Sequence, residues 1–308
     1  MDNILVVTKK SRLEIYQGLT DEAEKAVMLQ EANGMKDMLH EHDTHYASLE
    51  KILATIKDAP HDIVQRADIS SQKQYRLVIA VGGDGTFIDA SHSIRDSTPL
   101  FGINSTPWKS AGFFCYGTAD EFPSALDNLE SVPKTVLSRM HAVKDGIPLE
   151  IPILNEVMFR HLHLGSSWWT VKDNGKETLY KYPYLFMVST PAGMTGGMWG
   201  IEGEVLPLDS GLLEYRFVGL RGMPSQYTDR LEISSRTHRG LFQIDGYHIR
   251  QEFPYGSKLI LSLDAQPLTV IGDLEKKRQE FIEKNRGGAL PGSLQRPITP
   301  ASLQPAPS

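Results

Sequence analysis

Short apolar runs, separated by polar segments with helical periodicity, organise the first part of the chain. Residues 4–7, 77–81 and 100–103 are continuously apolar and rich in β-branched side chains, which is typical of strands covered on both faces. Residues 21–40 show a loose helical spacing of apolar side chains. Residues 46–57 carry apolar side chains at i, i+3, i+4 and i+7, so they predict an amphipathic helix. Residues 62–65 predict a further brief strand. This alternation predicts an open, mainly parallel α/β sheet.

The pattern changes near residue 135, where helical periodicity gives way to short strands. Asp173-Asn174-Gly175 lies between two aromatic and β-branched runs, at 167–171 and 178–180, and Asn-Gly in that setting is a strong hairpin signal. The spacing of the remaining runs predicts an antiparallel β-sandwich. These runs are residues 185–188, 213–218, 231–234, 241–244 and 258–263.

We therefore divide the chain into four parts. Residues 1–134 form the predicted α/β domain, and residues 135–272 form the predicted β-sandwich. The charged stretch 273–286 predicts a C-terminal helix. Residues 287–308 contain five prolines among Gly and Ser, a composition that predicts a disordered tail.

Composition narrows the class of protein. The formal net charge is −6 and no basic block recurs, so nucleic acid is not an expected partner. No apolar run approaches the ~20 residues of a spanning helix, so we expect no membrane partner either. The single cysteine, Cys115, cannot form an internal disulfide and is interpreted as a small buried apolar residue. The chain opens without a recognisable leader, so a cytoplasmic location is expected.

The sharpest motif is Gly82-Gly83-Asp84-Gly85-Thr86, which directly follows the buried run 77–81. Glycines at such a turn let backbone N–H groups approach a phosphate closely. An aspartate among them can accept the proton of a hydroxyl that is being phosphorylated. The other interpretation is a strand-to-helix turn that only needs flexible residues, with Asp84 as a helix cap. The five residues together favour the phosphate site, although the Walker pattern and the spaced-glycine dinucleotide fingerprint are both absent.

With three further segments in the same order, the chain resembles the NAD kinase family. The segments are Leu154-Asn155-Glu156-Val157, the stretch 188–195 (VSTPAGMT) and Ile244-Asp245-Gly246. The resemblance covers about residues 1–272. Within the family, residues 4–16 and 102–115 look most like the mitochondrial-type NAD kinases. Lipid kinases fit less well, because their Gly-Thr-Xaa-Asn-Asp segment has no counterpart after Ile103.

The resemblance implies transfer of the γ-phosphoryl group of ATP to the 2′-hydroxyl of the adenosine ribose of NAD or NADH. Mg²⁺ would arrive with ATP, and no dedicated metal site is expected. Asp84 would be the general base. The residues implied in binding the nucleotides are Gly83, Gly85, Thr86, Asn104, Asn155, Glu156, Thr190, Thr195 and Asp245. Two other functions stay open: a kinase of this fold that acts on a lipid or sugar hydroxyl, and an inactive nucleotide-binding regulator.

Several residues depart from the family pattern or stand outside it. Met194 replaces a serine, and Gly196-Gly197 replaces a common Ala-Tyr, so nucleotide choice is the property most open to change. Trp199 is either an aromatic face for a base or a core residue. The histidines His40, His42 and His45 lack the spacing of metal ligands and are interpreted as solvated helix-end residues. Unpaired edge strands in the sandwich predict a homo-oligomer.

Overall fold

A computed structural model of the chain describes residues 3–22, 25–26, 32–69, 73–163 and 165–286. Its first part is a parallel sheet in the order β2-β1-β3-β4, with β5 beside β4. The strands are β1 (Ile4–Thr8), β2 (His61–Gln65), β3 (Leu77–Gly82), β4 (Leu100–Asn104) and β5 (Cys115–Gly117). The helices are α1 (Arg12–Gln17), α2 (Ala32–Thr55), α3 (Asp84–Ser91) and α4 (Phe122–Asp127), with a 3-10 turn at Arg66–Asp68.

Alternate residues of β1 pack against helices on opposite faces of this sheet. Ile4 and Val6 share a core with Leu49 and Ile52 of α2, whereas Leu5 and Val7 share another core with α3. Both faces are therefore covered, which explains why these strands are apolar at every position. The predicted parallel α/β sheet is confirmed.

The helix predicted over residues 46–57 is too short, because α2 already begins at Ala32. Its N-terminal half buries Met38, Glu41 and His45, which lie on one face at i, i+3 and i+7. Two of these three are polar, so apolar periodicity indicates this half of the helix only loosely. The polar contacts that allow their burial are described below.

The second part is a β-sandwich. Its separate sheet is entirely antiparallel, in the order β13-β12-β11-β8-β15-β16. The strands after β5 are β6 (Lys134–Lys144), β7 (Ile147–Pro148), β8 (Glu156–His161), β9 (Trp168–Asp173), β10 (Lys176–Lys181), β11 (Leu185–Ser189), β12 (Leu213–Val218), β13 (Gln226–Thr228), β14 (Arg230–Ser235), β15 (Gly240–Ile244), β16 (Ile249–Glu252) and β17 (Lys258–Ile271). A 3-10 turn (Pro191–Thr195), α5 (Gly197–Gly200) and α6 (Leu274–Arg286) complete the described elements.

An aromatic core lies between this sheet and the antiparallel strands of the larger one. Phe159, Phe186 and Phe242 of this sheet, with Phe253 directly after β16, meet Trp169 of β9 from the larger sheet. The hairpin predicted at Asn174-Gly175 is present between β9 and β10, where both residues have positive φ angles, 48° and 80°. The two-part fold class, α/β followed by an antiparallel sandwich, is confirmed.

The long strand β17 connects the two parts. The apolar run predicts only residues 258–263, yet β17 continues to Ile271 through two irregularities opposite β6. It pairs with β14 and β6 in the sandwich, and Val270 then pairs in parallel with Leu100 of β4. The proposed boundaries at residues 134 and 272 stay predictions, and the predicted tail at 287–308 lies outside the described residues. Among those residues, none of the helices could cross a lipid bilayer.

Candidate active site

The glycine motif forms a tight turn between β3 and α3. Gly83 is the N-cap of α3, and its carbonyl accepts hydrogen bonds from Thr86 N (3.0 Å) and Phe87 N (3.2 Å). A Cβ on Gly82 would lie 2.2 Å from Thr86 Oγ1, and one on Gly83 would lie 2.3 Å from Ser110 Oγ. Close packing on Thr86 requires glycine at position 82, whereas a Cβ at position 83 would force the Ser110 hydroxyl to move. Ser110 comes from the segment after β4, which therefore covers the turn.

Asp84 lies at the carboxyl edge of the parallel strands. The chain leaves β1 toward β2 and leaves β3 toward β4, in opposite directions along the sheet. Ligands of open α/β sheets bind in the crevice at such a switch point. Asp84 is half-buried there, and its Oδ1 accepts a hydrogen bond of 2.9 Å from Phe114 N. The carboxylate is therefore oriented by the backbone and is not sealed inside the core.

Thr86 and Asn104 stand on either side of this turn. The Thr86 side chain is buried against Gly82, and its hydroxyl oxygen has no hydrogen-bond partner. Asn104 uses both ends of its amide within the neighbouring segment: Nδ2 donates to Ser110 O (3.0 Å) and Oδ1 accepts from Thr106 N (3.2 Å). Asn104 therefore holds the segment that covers the turn.

Asn155 and Glu156 each carry a buried oxygen that no protein group satisfies. These atoms are Asn155 Oδ1 and Glu156 Oε2. Burial, followed by repulsion from Asp245, raises the pKa of Glu156 to about 8. Native proteins satisfy nearly all buried polar atoms, so two neighbouring exceptions are typical of groups that await a polar ligand.

Asp245 lies directly beneath this pair. Its side chain is fully buried, and it accepts hydrogen bonds from the backbone N–H groups of Leu154 (2.8 Å), Asn155 (2.7 Å) and Glu156 (2.9 Å). His92, which caps the C-terminus of α3, contacts the same carboxylate through Nε2 at 2.7 Å. Asp245 thus fixes the Asn-Glu backbone and ties it to α3.

The segment 190–195 packs against the other side of Asn155. Thr190 donates its hydroxyl to Leu154 O, and its N–H donates to Asn155 O at 2.8 Å. A Cβ on Gly193 would lie 2.5 Å from Asn155 O, so glycine is required here as well. Thr195 is half-buried at the end of the turn.

Two departures from the family pattern have structural explanations. Met194 is fully buried, and its sulfur accepts a hydrogen bond of 3.3 Å from Leu206 N. Trp199 packs edge-on against Phe281 of α6, with ring centroids 5.3 Å apart, which favours the packing interpretation of this indole. Both residues anchor the loop that follows the 190–195 segment.

The motifs converge through apolar packing. Phe87 of α3, Leu154 beside Asn155, and Ala192 of the 190–195 segment belong to one buried cluster. Arg139, which is fully buried on β6, donates to the carbonyls of Ser91 (2.8 Å) and Ile94 (2.9 Å) after α3. The helix that carries Asp84 is therefore fixed at its far end as well.

Of the three histidines His40, His42 and His45, the sequence misplaces one. His45 is not solvated: it is fully buried, and it contacts Ser105 Oγ (2.9 Å) and the Lys9 carbonyl (3.0 Å). Burial and the charge of Lys9 lower its pKa to about 4. The interpretation as a helix-end histidine is wrong because the helix begins earlier than its apolar stripe.

Two other residues near the site, His92 and Arg66, are not predicted by the sequence analysis. His92 lies two turns beyond Asp84, a spacing that could have identified it as a residue near the same site. Arg66 covers the glycine turn, with Nη1 3.3 Å from a Cβ built on Gly85, and it pairs with Asp89 at 3.0 Å. Nothing in the local sequence distinguishes this arginine from a surface residue. Cys115 is buried as predicted, and burial raises its pKa.

The chain is similar in sequence to NAD and NADH kinases. Residues 5–131 match the family model of the ATP-NAD kinase N-terminal domain. A probable NADH kinase from Oryza sativa subsp. japonica is 29% identical over 243 residues, covering 68% of this chain and 74% of that protein. NAD kinase 2, mitochondrial, from Rattus norvegicus is 28% identical over 136 residues, 40% of this chain and 32% of that protein.

Fold comparison extends the likeness to most of the chain. The crystal structure of an NAD kinase from Archaeoglobus fulgidus in complex with ATP covers 92% of this chain and 98% of that chain, with 15% sequence identity and a TM-score of 0.66. The motifs and the relatives agree that the chain is similar to NAD and NADH kinases, and the solved structure shows that it shares their fold.

Proposed function

We propose that this protein phosphorylates the adenosine ribose 2′-hydroxyl of NAD or NADH with ATP. The supporting observation is the pair of unpartnered buried oxygens on Asn155 and Glu156, which Asp245 and His92 join to the helix of Asp84. A ribose diol supplies the hydroxyl donors that such oxygens lack. Similarity to NAD and NADH kinases favours this reaction over a lipid or sugar kinase and over an inactive regulator.

In the proposed reaction, Asp84 accepts the proton of the 2′-hydroxyl. The ribose oxygen forms a bond to the γ-phosphorus, the bond from that phosphorus to the β–γ bridging oxygen breaks, and ADP leaves. The hydrogen bond from Phe114 N holds one carboxylate oxygen of Asp84. This contact orients the other oxygen for the proton transfer, and positioned general bases contribute about 10²- to 10⁴-fold in rate.

The remaining predicted residues divide into two groups. Gly83, Gly85 and Thr86 would lie against the phosphates, where the start of α3 favours negative charge. Asn155, Glu156 and Thr195 would contact the dinucleotide. Asn104, Thr190 and Asp245 have their polar atoms committed to backbone groups, so we propose that they position the others.

Magnesium would be carried in by ATP. The described residues gather no group of three or more His, Cys, Asp or Glu side chains suited to a metal ion. Such an ion would be held chiefly by the phosphates of ATP. When bound, Mg²⁺ would neutralise charge on the β- and γ-phosphates. The proposed cytoplasmic location and homo-oligomeric state stay predictions for cell fractionation and light scattering.

Asp84→Asn tests the assigned base. We expect kcat to fall about 10²- to 10⁴-fold, with the affinities for NAD and a non-hydrolysable ATP analogue unchanged, because the amide keeps the size and the hydrogen bond to Phe114. The matched control is Asp120→Asn, since that side chain is 85% exposed and distant from the turn. A kcat for Asp84→Asn equal to that of the control would exclude Asp84 as the base.

A further inference from the structure

Three cationic side chains surround one buried carboxylate beside the candidate active site. Glu41 is 2% exposed. It accepts hydrogen bonds from Lys9 Nζ (3.2 Å), Arg12 Nε (2.6 Å) and Lys109 Nζ. The side chains of Lys9, Arg12 and Lys109 remain 20%, 38% and 31% exposed. We call these three residues the cation cluster.

The charges of this cluster do not balance. Burial raises the pKa of Glu41, but hydrogen bonds from Lys109 and Arg12 outweigh it and lower the pKa to about 2, so one negative charge faces three positive ones. The nearby Glu14 is committed elsewhere, accepting from Tyr46 Oη (2.7 Å) and Ser11 N (2.8 Å). Even with Glu14 counted, positive charge exceeds negative. Since the carboxylate is buried and the cations are partly exposed, the excess charge faces outward.

The cluster lies at the same sheet edge as Asp84. Lys9 directly follows β1, whose Thr8 pairs with Val81 next to the glycine turn. Lys109 precedes Ser110, which packs on Gly83, and Ser105 N donates to Gly82 O at 3.0 Å. Buried His45 holds these two segments together through Ser105 Oγ and the Lys9 carbonyl. The cations are thus held in fixed positions beside the turn.

The cluster and the Asn-Glu pair approach the turn from different sides. Glu41 belongs to α2, which packs on one face of the parallel sheet, whereas His92 and Asp245 connect the Asn-Glu pair to α3 on the opposite face. Phosphoryl transfer in line requires donor and acceptor on opposite sides of the transferred phosphorus. This arrangement provides one side for each substrate.

We propose that Lys9, Arg12 and Lys109 bind the triphosphate of the phosphoryl donor, with Glu41 as the carboxylate that orders them. Lysine and arginine are strong partners for phosphate oxygens, and each retains donors beyond the one given to Glu41. The proposal rests on the proposed function, since it assigns the donor site of that reaction. It places NAD on the side of Asn155 and ATP on the side of α2.

Single substitutions by glutamine at Lys9, Arg12 and Lys109 test this assignment. The matched control is Lys51→Gln, a partly exposed α2 lysine that pairs with Asp120. Steady-state kinetics with ATP and NAD varied separately should give a KM for ATP raised about 10- to 100-fold, the loss of one charge-assisted hydrogen bond, with the KM for NAD within about twofold. Lys109→Arg should retain most of the wild-type affinity for ATP, unlike Lys109→Gln, because arginine keeps the positive charge.

Two binding measurements separate this proposal from the proposed function. Calorimetry with a magnesium-loaded, non-hydrolysable ATP analogue should show the same weakening in each variant, even if the wild-type protein fails to phosphorylate NAD. Tripolyphosphate should compete with ATP for the wild-type protein but not for the variants if the phosphate chain alone is recognised. A nucleotide-only effect, with no competition by tripolyphosphate, would overturn the triphosphate assignment.

Other outcomes also decide the matter. A folded variant with a lowered melting temperature and an unchanged KM for ATP would show that the cation cluster only stabilises the position of α2, and would overturn the proposal. A raised KM for NAD instead of ATP would assign the cations to the dinucleotide. If the Lys9 or Arg12 variant fails to fold, Lys109→Gln still tests the proposal, because Lys9 and Arg12 continue to pair with Glu41 in that variant.

Discussion

Replacement of Asp245 by asparagine should lower both stability and dinucleotide affinity. An amide keeps one acceptor oxygen and presents an NH₂ group in place of the other. With its oxygen toward Asn155 N and Glu156 N, the NH₂ group would face Leu154 N–H and His92, so two hydrogen bonds to a buried charge are lost. Such bonds contribute about 1.5–3 kcal/mol each. His92 can rotate away from the new NH₂ group, which recovers part of this energy. We therefore expect the unfolding free energy to fall by about 2–4 kcal/mol.

Urea denaturation at constant pH, analysed with a two-state model, measures this loss as a change in unfolding free energy. The matched control is Asp145→Asn, because that exposed turn aspartate accepts one backbone hydrogen bond, from Lys258 N at 2.7 Å. We expect the control to change stability by less than about 0.5 kcal/mol. In kinetics, Asp245→Asn should raise the KM for NAD, since the Asn155-Glu156 backbone loses its anchor. Equal stabilities for the two variants would refute the reasoning.

Two further predictions follow from buried groups. Because the pKa of Glu156 rises to about 8 on folding, the folded state keeps a proton that the unfolded chain has lost between about pH 4.5 and 8; this term lowers stability as pH rises. Glu156→Gln removes this pH-dependent term. The unfolding free energy of the variant minus that of the wild type, measured with urea, should therefore increase from pH 5.5 to pH 7.5 by at most about 1.4 kcal/mol per pH unit. A difference that does not change with pH would contradict this. Met194→Ser restores the serine typical of the family but removes a buried thioether. We expect it to lower the unfolding free energy by about 2–4 kcal/mol, as other large-to-small core substitutions do. Differential scanning calorimetry would measure this loss, with Asp145→Asn as the exposed control.

The elements that sequence predicts well are those decided by local apolar pattern. Strands β1, β3 and β4, and the Asn174-Gly175 hairpin, have continuous apolar runs or turn residues with a fixed backbone preference. The long strand β17 is only half predicted, because its second half pairs across an irregular register with a strand far away in sequence. The first half of α2 is only loosely indicated for a different reason, since Glu41 and His45 are buried by polar contacts with distant residues.

The residues of the candidate site also divide into those that the sequence predicts and those that it does not. Asp84 is predicted from the glycine motif, and Asn155 and Glu156 are predicted from the resemblance to NAD kinases. Their supports are not predicted: His92, Ser110 and Arg139 act through contacts between segments far apart in the chain. Sequence therefore suggests candidate reacting groups more readily than it suggests the residues that hold them.

The shared strand β17 also limits how the molecule can be taken apart. A fragment that ends near residue 131 would contain the glycine turn, yet it would lack Val270, the partner of Leu100 at the edge of β4. That fragment would present an exposed sheet edge to other chains, which invites aggregation. Because β17 contributes side chains to both cores, rigid-body rotation of one part of the molecule against the other is restrained.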